Sequence, residues 1–359
     1  MIPVTKPFLP PIEDYQTMVE GIWQRNWLTN NGPLVNELEL ELKHYLQVPY
    51  VLYTANGTIA LQMAIRALEL KGEIITTPYS FVATTNSIVW EGCVPVMVDI
   101  DPTTLNIDPS NIEAAITPQT SAIVATHMFG NPCDIDAIDA IAAKYNLKVI
   151  YDAAHCFGTK YKGKSVFSYG DVTTTSFHAT KPFHSIEGGA VFTKDADLLK
   201  KIACMRNFGF DGLENVTCLG INAKNSEFHA AMGLANLKHV FAVLEKRKQD
   251  YLYYSQLLKG LVKQEQEVTK YAEINYAYYP ITLPSEEVLI KMVELMNGHS
   301  IFPRRYFYPS LSTLPYVQKT DCQNCLDISA RTLCLPLYYE LSKEEIHFVV
   351  RILLRAQNN

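Results

Sequence analysis

The sequence has no long apolar run and no excess of positive charge. None of its stretches approaches the roughly 20 consecutive apolar residues that a helix needs to span a bilayer. The proline-rich start, MIPVTKPFLPP, lacks the charged and apolar regions of a signal peptide. Lysine and arginine number 31 against 37 aspartate and glutamate residues, for a net charge of −6, which does not favour a nucleic-acid-binding surface. We therefore predict a cytoplasmic protein that binds a small molecule, with neither nucleic acid nor membrane among its partners.

The cysteines form neither a disulfide framework nor a complete metal site. All eight are scattered along the chain, which is typical of free thiols in a reducing compartment. Cys322 and Cys325 form one C-x-x-C pair, but the two further ligands of a zinc site are missing at short spacing. We predict no metal. The phosphate-binding motifs G-x-x-x-x-G-K-[ST] and G-x-G-x-x-G are absent as well.

Short strand-like runs alternate with helical stretches from about residue 35 to 235. Several of the runs, such as AIVAT and VIY, are apolar throughout, which indicates a sheet covered on both faces. The alternation predicts an α/β fold with a mainly parallel sheet and crossover helices. A long helical stretch over residues 233–261 then leads into a more mixed pattern. We predict a large domain over residues 1–235 and a smaller α+β domain over residues 236–359.

Five loops follow the predicted strands and carry side chains with chemistry. In an open α/β sheet, ligands bind beyond the carboxyl ends of the strands, so these loops should converge. They contain Asn56-Gly57-Thr58, then Tyr79 and Phe81, then His127, then Asp152 and His155, and finally Ser176, His178 and Lys181. A helix that begins at the first loop would favour a bound phosphate. Each feature also has an ordinary structural alternative, such as a helix cap, an ion pair or core packing.

Lys181 lies in a loop between two predicted core strands, and that loop ends at Gly188-Gly189. A lysine confined in a pocket loses solvation, so its pKa falls and it becomes suited to Schiff-base chemistry. A lysine, an acidic partner such as Asp152 and a phosphate-binding helix start are together what pyridoxal phosphate requires. The residues themselves thus favour that cofactor.

Six stretches resemble motifs of the DegT/DnrJ/StrS aminotransferases. They are SFHATKPFHSIEGGAVFT, YDAAHCFG, TANGTIALQMAI, TTPYSFVATTNSI, WLTNNGPLVNELE and GINAKNSEFHAAMGLANL. The resemblance runs in order from about residue 3 to 240 and more loosely to the C-terminus. It implies a fold-type I enzyme dependent on pyridoxal phosphate. Such a fold has a large domain with a mainly parallel seven-stranded sheet between helices, and a smaller C-terminal α+β domain.

The resemblance also implies roles for individual residues. Lys181 is the residue that bonds the cofactor and moves the proton, and Asp152 pairs with the ring nitrogen. His155 takes the place where many members have glutamine, near the phenolic oxygen. The remaining cofactor contacts are Asn56, Gly57, Thr58 and Ser176 at the phosphate, Phe81 on the ring, and Asn222 at the phosphate of a neighbouring subunit. The sequence leaves open whether Asn222 or Lys224 makes that last contact, which would make the working unit a homodimer with shared active sites.

The substrates implied by the resemblance are a nucleotide-linked keto sugar and L-glutamate. The stretches VTKPFLPP, WLTNNGP and HATK…EGG most resemble enzymes that form dTDP-4-amino-4,6-dideoxyglucose for O-antigen and other surface glycans. Amination at C3 of a dTDP-3-keto-6-deoxyhexose is the alternative, and a non-catalytic regulator that binds the cofactor is an alternative of another class. The candidate substrate contacts are Trp27, His178, His184, Arg304, Arg305, Tyr306 and Tyr308.

Overall fold

The structure is a computed structural model and describes residues 1–357. These residues form eleven α-helices and fifteen strands. The helices are α1 (Ile12–Arg25), α2 (Pro33–Leu46), α3 (Gly57–Ala67), α4 (Val82–Trp90), α5 (Ile135–Tyr145), α6 (Ala196–Arg206), α7 (Glu227–Leu237), α8 (Val240–Leu257), α9 (Glu286–Gly298), α10 (Gln323–Arg331) and α11 (Lys343–Gln357). The strands are β1 (Ile2–Pro3), β2 (Tyr50–Thr54), β3 (Glu73–Thr76), β4 (Val94–Met97), β5 (Thr120–Thr126), β6 (Lys148–Asp152), β7 (Lys160–Tyr161), β8 (Lys164–Ser165), β9 (Val172–Ser176), β10 (Gly189–Thr193), β11 (Gln264–Glu265), β12 (Ala272–Glu273), β13 (Tyr279–Thr282), β14 (Ile301–Phe302) and β15 (Thr332–Leu335).

A seven-stranded sheet forms the centre of the larger part of the molecule. Its order is β2-β10-β9-β6-β5-β3-β4. Only β10 runs against its neighbours, β2 and β9, while the other adjacent pairs are parallel. The predicted fold-type I architecture, with a mainly parallel sheet of seven strands, is therefore confirmed.

Both faces of this sheet are covered, as the apolar strands predicted. Ile74 and Ile75 are consecutive in β3, and because side chains alternate along a strand they enter opposite cores. One core contains residues of α2, α5 and α7, and the other contains residues of α3 and α6. Helices on both faces leave the ends of the strands as the place where a ligand can approach the sheet.

A separate hydrophobic cluster holds the C-terminal elements together. The antiparallel sheet β11-β13-β15 packs with residues of α8, α9 and α11 around it. The N-terminal strand β1 pairs with β14 and adds Ile2 to this cluster. The domain boundary between residues 235 and 236 stays a prediction.

The long helical stretch predicted for residues 233–261 is two helices. The end of α7 is separated from α8 by Lys238 and His239. Both side chains are held by Asp14 of α1, at 3.1 Å from Lys238 Nζ and 2.9 Å from His239 Nε2. The local sequence pattern could not predict this break, because the contacts at it come from a helix that is distant in the chain. Within residues 1–357 there is no helix both long and apolar enough to cross a bilayer.

Candidate active site

A cleft of about 310 Å³ lies beyond the carboxyl ends of β5, β6 and β9. Its size falls within the range of small-molecule sites. All five predicted loops have residues near it, and most of the predicted side chains line it. Those that do are Asn56, Gly57, Thr58, Phe81, Asp152, His155, Ser176, His178, Lys181, Arg304 and Tyr306.

The loop that carries Lys181 continues the antiparallel pairing of β9 and β10. Phe177 N–H donates to the Gly188 carbonyl at 2.8 Å, and Ala179 N–H donates to the Ile186 carbonyl at 2.8 Å. The Lys181 N–H closes a tight turn onto the His178 carbonyl at 2.9 Å. These bonds fix the backbone of the loop, so the lysine enters the cleft from a rigid support.

The environment of Lys181 lowers the free-energy cost of its neutral form. Burial lowers the pKa of Lys181 to about 8, against the opposing effect of the Asp152 carboxylate. Its Nζ donates to the hydroxyl of Tyr278 at 3.2 Å. An amine with a pKa near neutrality can act both as a nucleophile and as a base, which is the chemistry expected of this residue.

Asp152 ends β6 and is almost fully buried. Its Oδ2 accepts from Thr84 Oγ1 at 2.7 Å, and its Oδ1 accepts from the Ala154 N–H at 3.1 Å. Burial raises the pKa of Asp152, while these two hydrogen bonds and the charge on Lys181 act in the other direction. Burial of a charged carboxylate costs free energy unless a cation lies beside it. Because Asp152 lines the cleft, a protonated group of a ligand could provide that cation.

His155 is a neutral imidazole whose protonated nitrogen can be assigned. Its Nδ1 accepts from the Phe129 N–H at 3.2 Å, so in the neutral ring the proton is on Nε2. Burial, followed by the charge on Lys181, lowers the pKa of His155 well below its ordinary value. His155 therefore offers the cleft a hydrogen-bond donor without a charge. His127, by contrast, does not line the cleft; its Nδ1 accepts from the Cys133 N–H at 3.0 Å.

The start of α3 lines another part of the cleft. Asn56 caps this helix, with its Oδ1 accepting from the Ile59 N–H at 2.8 Å. The N–H groups of Gly57 and Thr58 precede the helical hydrogen-bond ladder and so have no partner within the helix. A Cβ on Gly57 would lie only 3.0 Å from Ser176 Cβ. The glycine lets the start of α3 lie close to Ser176, and the free N–H groups together with the positive end of the helix suit a phosphate.

Aromatic rings form the remaining walls, and the sequence pointed to only some of them. Phe81 is 56% exposed and lies 6.1 Å from the ring of Phe307. Phe307 also stacks on His155, at 5.6 Å between ring centroids and an interplanar angle of 2°. Phe307, Tyr278 and Thr84 were not among the predicted residues, although Thr84 lies in the stretch TTPYSFVATTNSI and Phe307 lies between the predicted Tyr306 and Tyr308.

Four of the predicted substrate contacts lie away from the cleft in this chain. His184 is buried and its Nε2 donates to the Phe8 carbonyl at 2.7 Å. Arg305 pairs with Glu286 at 2.6 Å, and its guanidinium lies 3.6 Å from the centre of the Tyr308 ring. Trp27 is exposed and donates from Nε1 to the Thr29 carbonyl at 2.6 Å. Their roles towards substrate stay predictions.

Asn222 and Lys224 also lie outside the cleft. They contact each other, with Lys224 Nζ donating to Asn222 Oδ1 at 2.9 Å. Asn222 is exposed, so it is placed to meet another molecule. The contact of Asn222 or Lys224 with the phosphate of a neighbouring subunit stays a prediction.

In the described part of the chain, no three His, Cys, Asp or Glu side chains come together as metal ligands. Cys322 and Cys325 are buried, and burial raises the pKa of both thiols to about 12, which disfavours the thiolate that a metal needs. The expectation of no metal stays a prediction.

The donor set fits pyridoxal phosphate. The lysine can bond an aldehyde, the buried carboxylate can pair with a protonated ring nitrogen, and the neutral histidine can donate to a ring oxygen. The start of α3, which Gly57 allows to lie against Ser176, suits the phosphate. Fold and site together define the class of pyridoxal-phosphate-dependent enzymes of fold type I.

Comparison with known proteins identifies the family. The model of the DegT/DnrJ/EryC1/StrS aminotransferase family matches residues 12–354, so the chain belongs to that family. A dTDP-4-amino-4,6-dideoxy-D-glucose transaminase from Shigella dysenteriae is 45% identical over 97% of this chain and 96% of its own. The protein is a pyridoxal-phosphate-dependent aminotransferase.

Two solved structures agree with this assignment. DesI, in a crystal structure in the presence of its TDP-sugar product, superposes with a TM-score of 0.94 at 32% identity and covers 99% of this chain and 93% of its own. NtdA from Bacillus subtilis, with the cofactor PMP bound, superposes with a TM-score of 0.90 at 30% identity and covers 97% and 82%.

Proposed function

We propose that this enzyme transfers the amino group of L-glutamate to C4 of dTDP-4-keto-6-deoxy-D-glucose and so forms dTDP-4-amino-4,6-dideoxy-D-glucose. The observation that carries the proposal is the Shigella relative, which bears the name of this activity and is similar over nearly the whole chain. The product would serve O-antigen or other surface-glycan synthesis. We place the reaction in the cytoplasm, a reducing compartment consistent with eight free cysteines.

Each part of the cleft has a task in this reaction. Bound pyridoxal phosphate supplies a carbonyl that takes up the amino group and a ring that accepts electrons when a C–H bond breaks. Asp152 would hold a positive charge at the ring nitrogen, and the start of α3 would bind the phosphate. Lys181 Nζ takes the proton from the amino donor and, in the second half of the cycle, moves a proton in the opposite direction.

The pKa of about 8 fits Lys181 for both directions of proton transfer. A base works best when its pKa is near the operating pH, because enough of it is neutral and the proton it has taken can be returned. His155 stays neutral over the same range since its pKa is lowered. Its Nε2–H could therefore donate a hydrogen bond to a ring oxygen of the bound cofactor without competing with Lys181 for the proton.

The sugar nucleotide would enter past Arg304 and Tyr306. Arg304 lines the cleft, is exposed, and has its guanidinium 5.0 Å from the centre of the Tyr306 ring. A guanidinium at the mouth suits a diphosphate, and a tyrosine beside it suits a sugar or a base.

We also propose a homodimer with shared active sites. The segment around Asn222 exposes several apolar side chains, which is costly on a free surface. They are Phe208, Leu213, Val216, Leu219 and Ile221. Burying this segment against a second copy would remove them from water and bring Asn222 or Lys224 towards the partner's cleft.

The test is to incubate the enzyme with L-glutamate and either dTDP-4-keto- or dTDP-3-keto-6-deoxy sugar, and to identify the aminated carbon by NMR. An amine at C4 from the 4-keto sugar is expected. An amine at C3 would establish the alternative regiochemistry, and no amine from either sugar would favour a regulator.

The variant Lys181→Ala should lose turnover by about 10⁴-fold or more. The control variant Lys160→Ala, which removes an exposed lysine of β7, should retain wild-type turnover. Full activity of the Lys181 variant would overturn the assignment.

A further inference from the structure

Lys181 has a single close polar partner in the cleft, and that partner is a tyrosine. Lys181 Nζ lies 3.2 Å from the hydroxyl of Tyr278 and 5.8 Å from the centre of its ring. Within residues 1–357 no carboxylate oxygen lies within 4.0 Å of this nitrogen. The amine that must bond the cofactor and carry protons is thus held by a phenol.

We propose that Tyr278 is a positioning residue for the reaction, which holds the Lys181 amine in line in both of its protonation states. The proposal rests on the role of Lys181 in the proposed function. It assigns to Tyr278 the positioning of the free amine whenever Lys181 is not bonded to the cofactor.

The chemistry of a phenol explains why this partner suits a lysine that changes its charge. A phenol can accept a hydrogen bond from an ammonium and can donate one to the lone pair of a neutral amine. Burial raises the pKa of Tyr278, so the phenol keeps its proton across the neutral range. A carboxylate at the same place would bind the ammonium and hold it charged, against the need for a neutral nucleophile.

Buried polar groups on either side fix the backbone beside Tyr278. The Ala277 N–H donates to Asn275 Oδ1 at 3.2 Å, and the Ala277 carbonyl accepts from the guanidinium of Arg247 at 3.1 Å. The side chains of Asn275 and Arg247 are both buried. Within the described residues Arg247 makes no ion pair, and its Nη1 donates to the carbonyls of both Ala277 and Leu337. Burial of a guanidinium is costly, so its use here indicates a backbone that must be held.

Asn275 also connects Tyr278 to the other side of the cofactor site. Its Nδ2 donates to the carbonyls of His155 and Phe157, at 2.8 and 2.9 Å. The rings of His155 and Tyr278 meet edge to face at 4.8 Å. A Cβ at Gly130 would lie 2.3 Å from Asn275 Oδ1, so only glycine leaves room for this link. The tyrosine is therefore fixed relative to His155.

The test uses the protein without cofactor and does not depend on the sugar. Apoenzyme is mixed with pyridoxal phosphate, and bond formation to Lys181 is followed by absorbance. Tyr278→Phe keeps the ring and removes the hydroxyl, so capture should slow by about tenfold, the value of one hydrogen bond. The affinity for pyridoxamine phosphate, which forms no bond to the lysine, should stay within about twofold.

Turnover gives a second measurement. In Tyr278→Phe, kcat should fall by about tenfold while KM for the sugar nucleotide is unchanged. Tyr279→Phe is the matched control, because this neighbouring buried tyrosine directs its hydroxyl to Ser255 at 3.1 Å and lies outside the cleft. Capture at the wild-type rate by Tyr278→Phe would overturn the proposal. Wild-type enzyme that captures the cofactor but aminates neither sugar would instead refute the proposed function.

If the phenylalanine variant fails to bind pyridoxamine phosphate, a fluorinated tyrosine at position 278 provides a second test of the hydrogen bond. Fluorine makes the phenol more acidic, hence a better donor to the neutral amine and a weaker acceptor from the ammonium. The pKa of Lys181 should then fall, and the pH midpoint of cofactor capture should move lower. An unchanged midpoint would contradict a direct hydrogen bond.

Discussion

Replacing Asp152 with asparagine is expected to speed the capture of the cofactor and to slow turnover. The carboxylate favours the ammonium form of Lys181, so its removal lets burial lower the lysine pKa further. The amide has nearly the same shape. Its oxygen can keep the hydrogen bond from Ala154, and its NH₂ can donate to Thr84 Oγ1, which then directs its own proton to Ser80 at 2.7 Å.

The size of both effects follows from the site. With a pKa of about 8, about 9% of Lys181 is neutral at pH 7, against about 0.04% for an ordinary lysine. A further fall of one pKa unit would raise the neutral fraction to about 50%, and the rate of capture at pH 7 about fivefold. Turnover should fall by about 10- to 150-fold, because a hydrogen bond to a charged group is worth about 1.5–3 kcal/mol.

The assay is stopped-flow absorbance of apoenzyme with pyridoxal phosphate between pH 6 and 9, together with kcat for amination. The midpoint of capture should move to lower pH in Asp152→Asn. Asp139→Asn removes a carboxylate outside the cleft and should change neither quantity. A midpoint that stays in place or rises would refute the reasoning, because it would mean that Asp152 does not act on Lys181 through its charge.

Two further changes test the phosphate cradle and the support of the site. Gly57→Ala places a Cβ 3.0 Å from Ser176 Cβ and should weaken pyridoxamine phosphate binding about tenfold by calorimetry, whereas Gly260→Ala enters open space and should not. Equal affinity would contradict the cradle. Glu227→Ala removes a buried carboxylate that accepts two N–H bonds at the start of α2, at 2.9 and 3.0 Å, and should lower the free energy of unfolding in urea by about 2–3 kcal/mol. Exposed Glu20→Ala should change it by less than about 0.5 kcal/mol, and an equal loss in both variants would count against the cap.

Much of the fold follows from local pattern. Apolar strands such as β5 and β6 alternate with helices, as the sequence predicts for residues 35 to 235. The break between α7 and α8 was not predictable, because it coincides with contacts to Asp14 more than 220 residues earlier. The two-residue strands β1 and β14 pair across almost the whole chain and have no periodicity of their own.

The sequence by itself determined the chemistry at the ends of the strands. Lys181, Asp152 and Gly57 follow strands or begin a helix, and in a parallel sheet such positions converge whatever the details of packing. Their residue types then favour a cofactor that needs a lysine, an anionic partner and a phosphate-binding helix start.

Only the tertiary structure decided what surrounds the lysine. Tyr278 lies 97 residues from Lys181 in the chain, and Phe307 reaches His155 from the C-terminal part. Neither position carries a motif, because their function depends on how the C-terminal segments pack over the cleft. The same packing withdraws solvent from Lys181 and lowers its pKa. Burial depends on the whole folded chain, so it cannot be predicted from any local stretch of sequence.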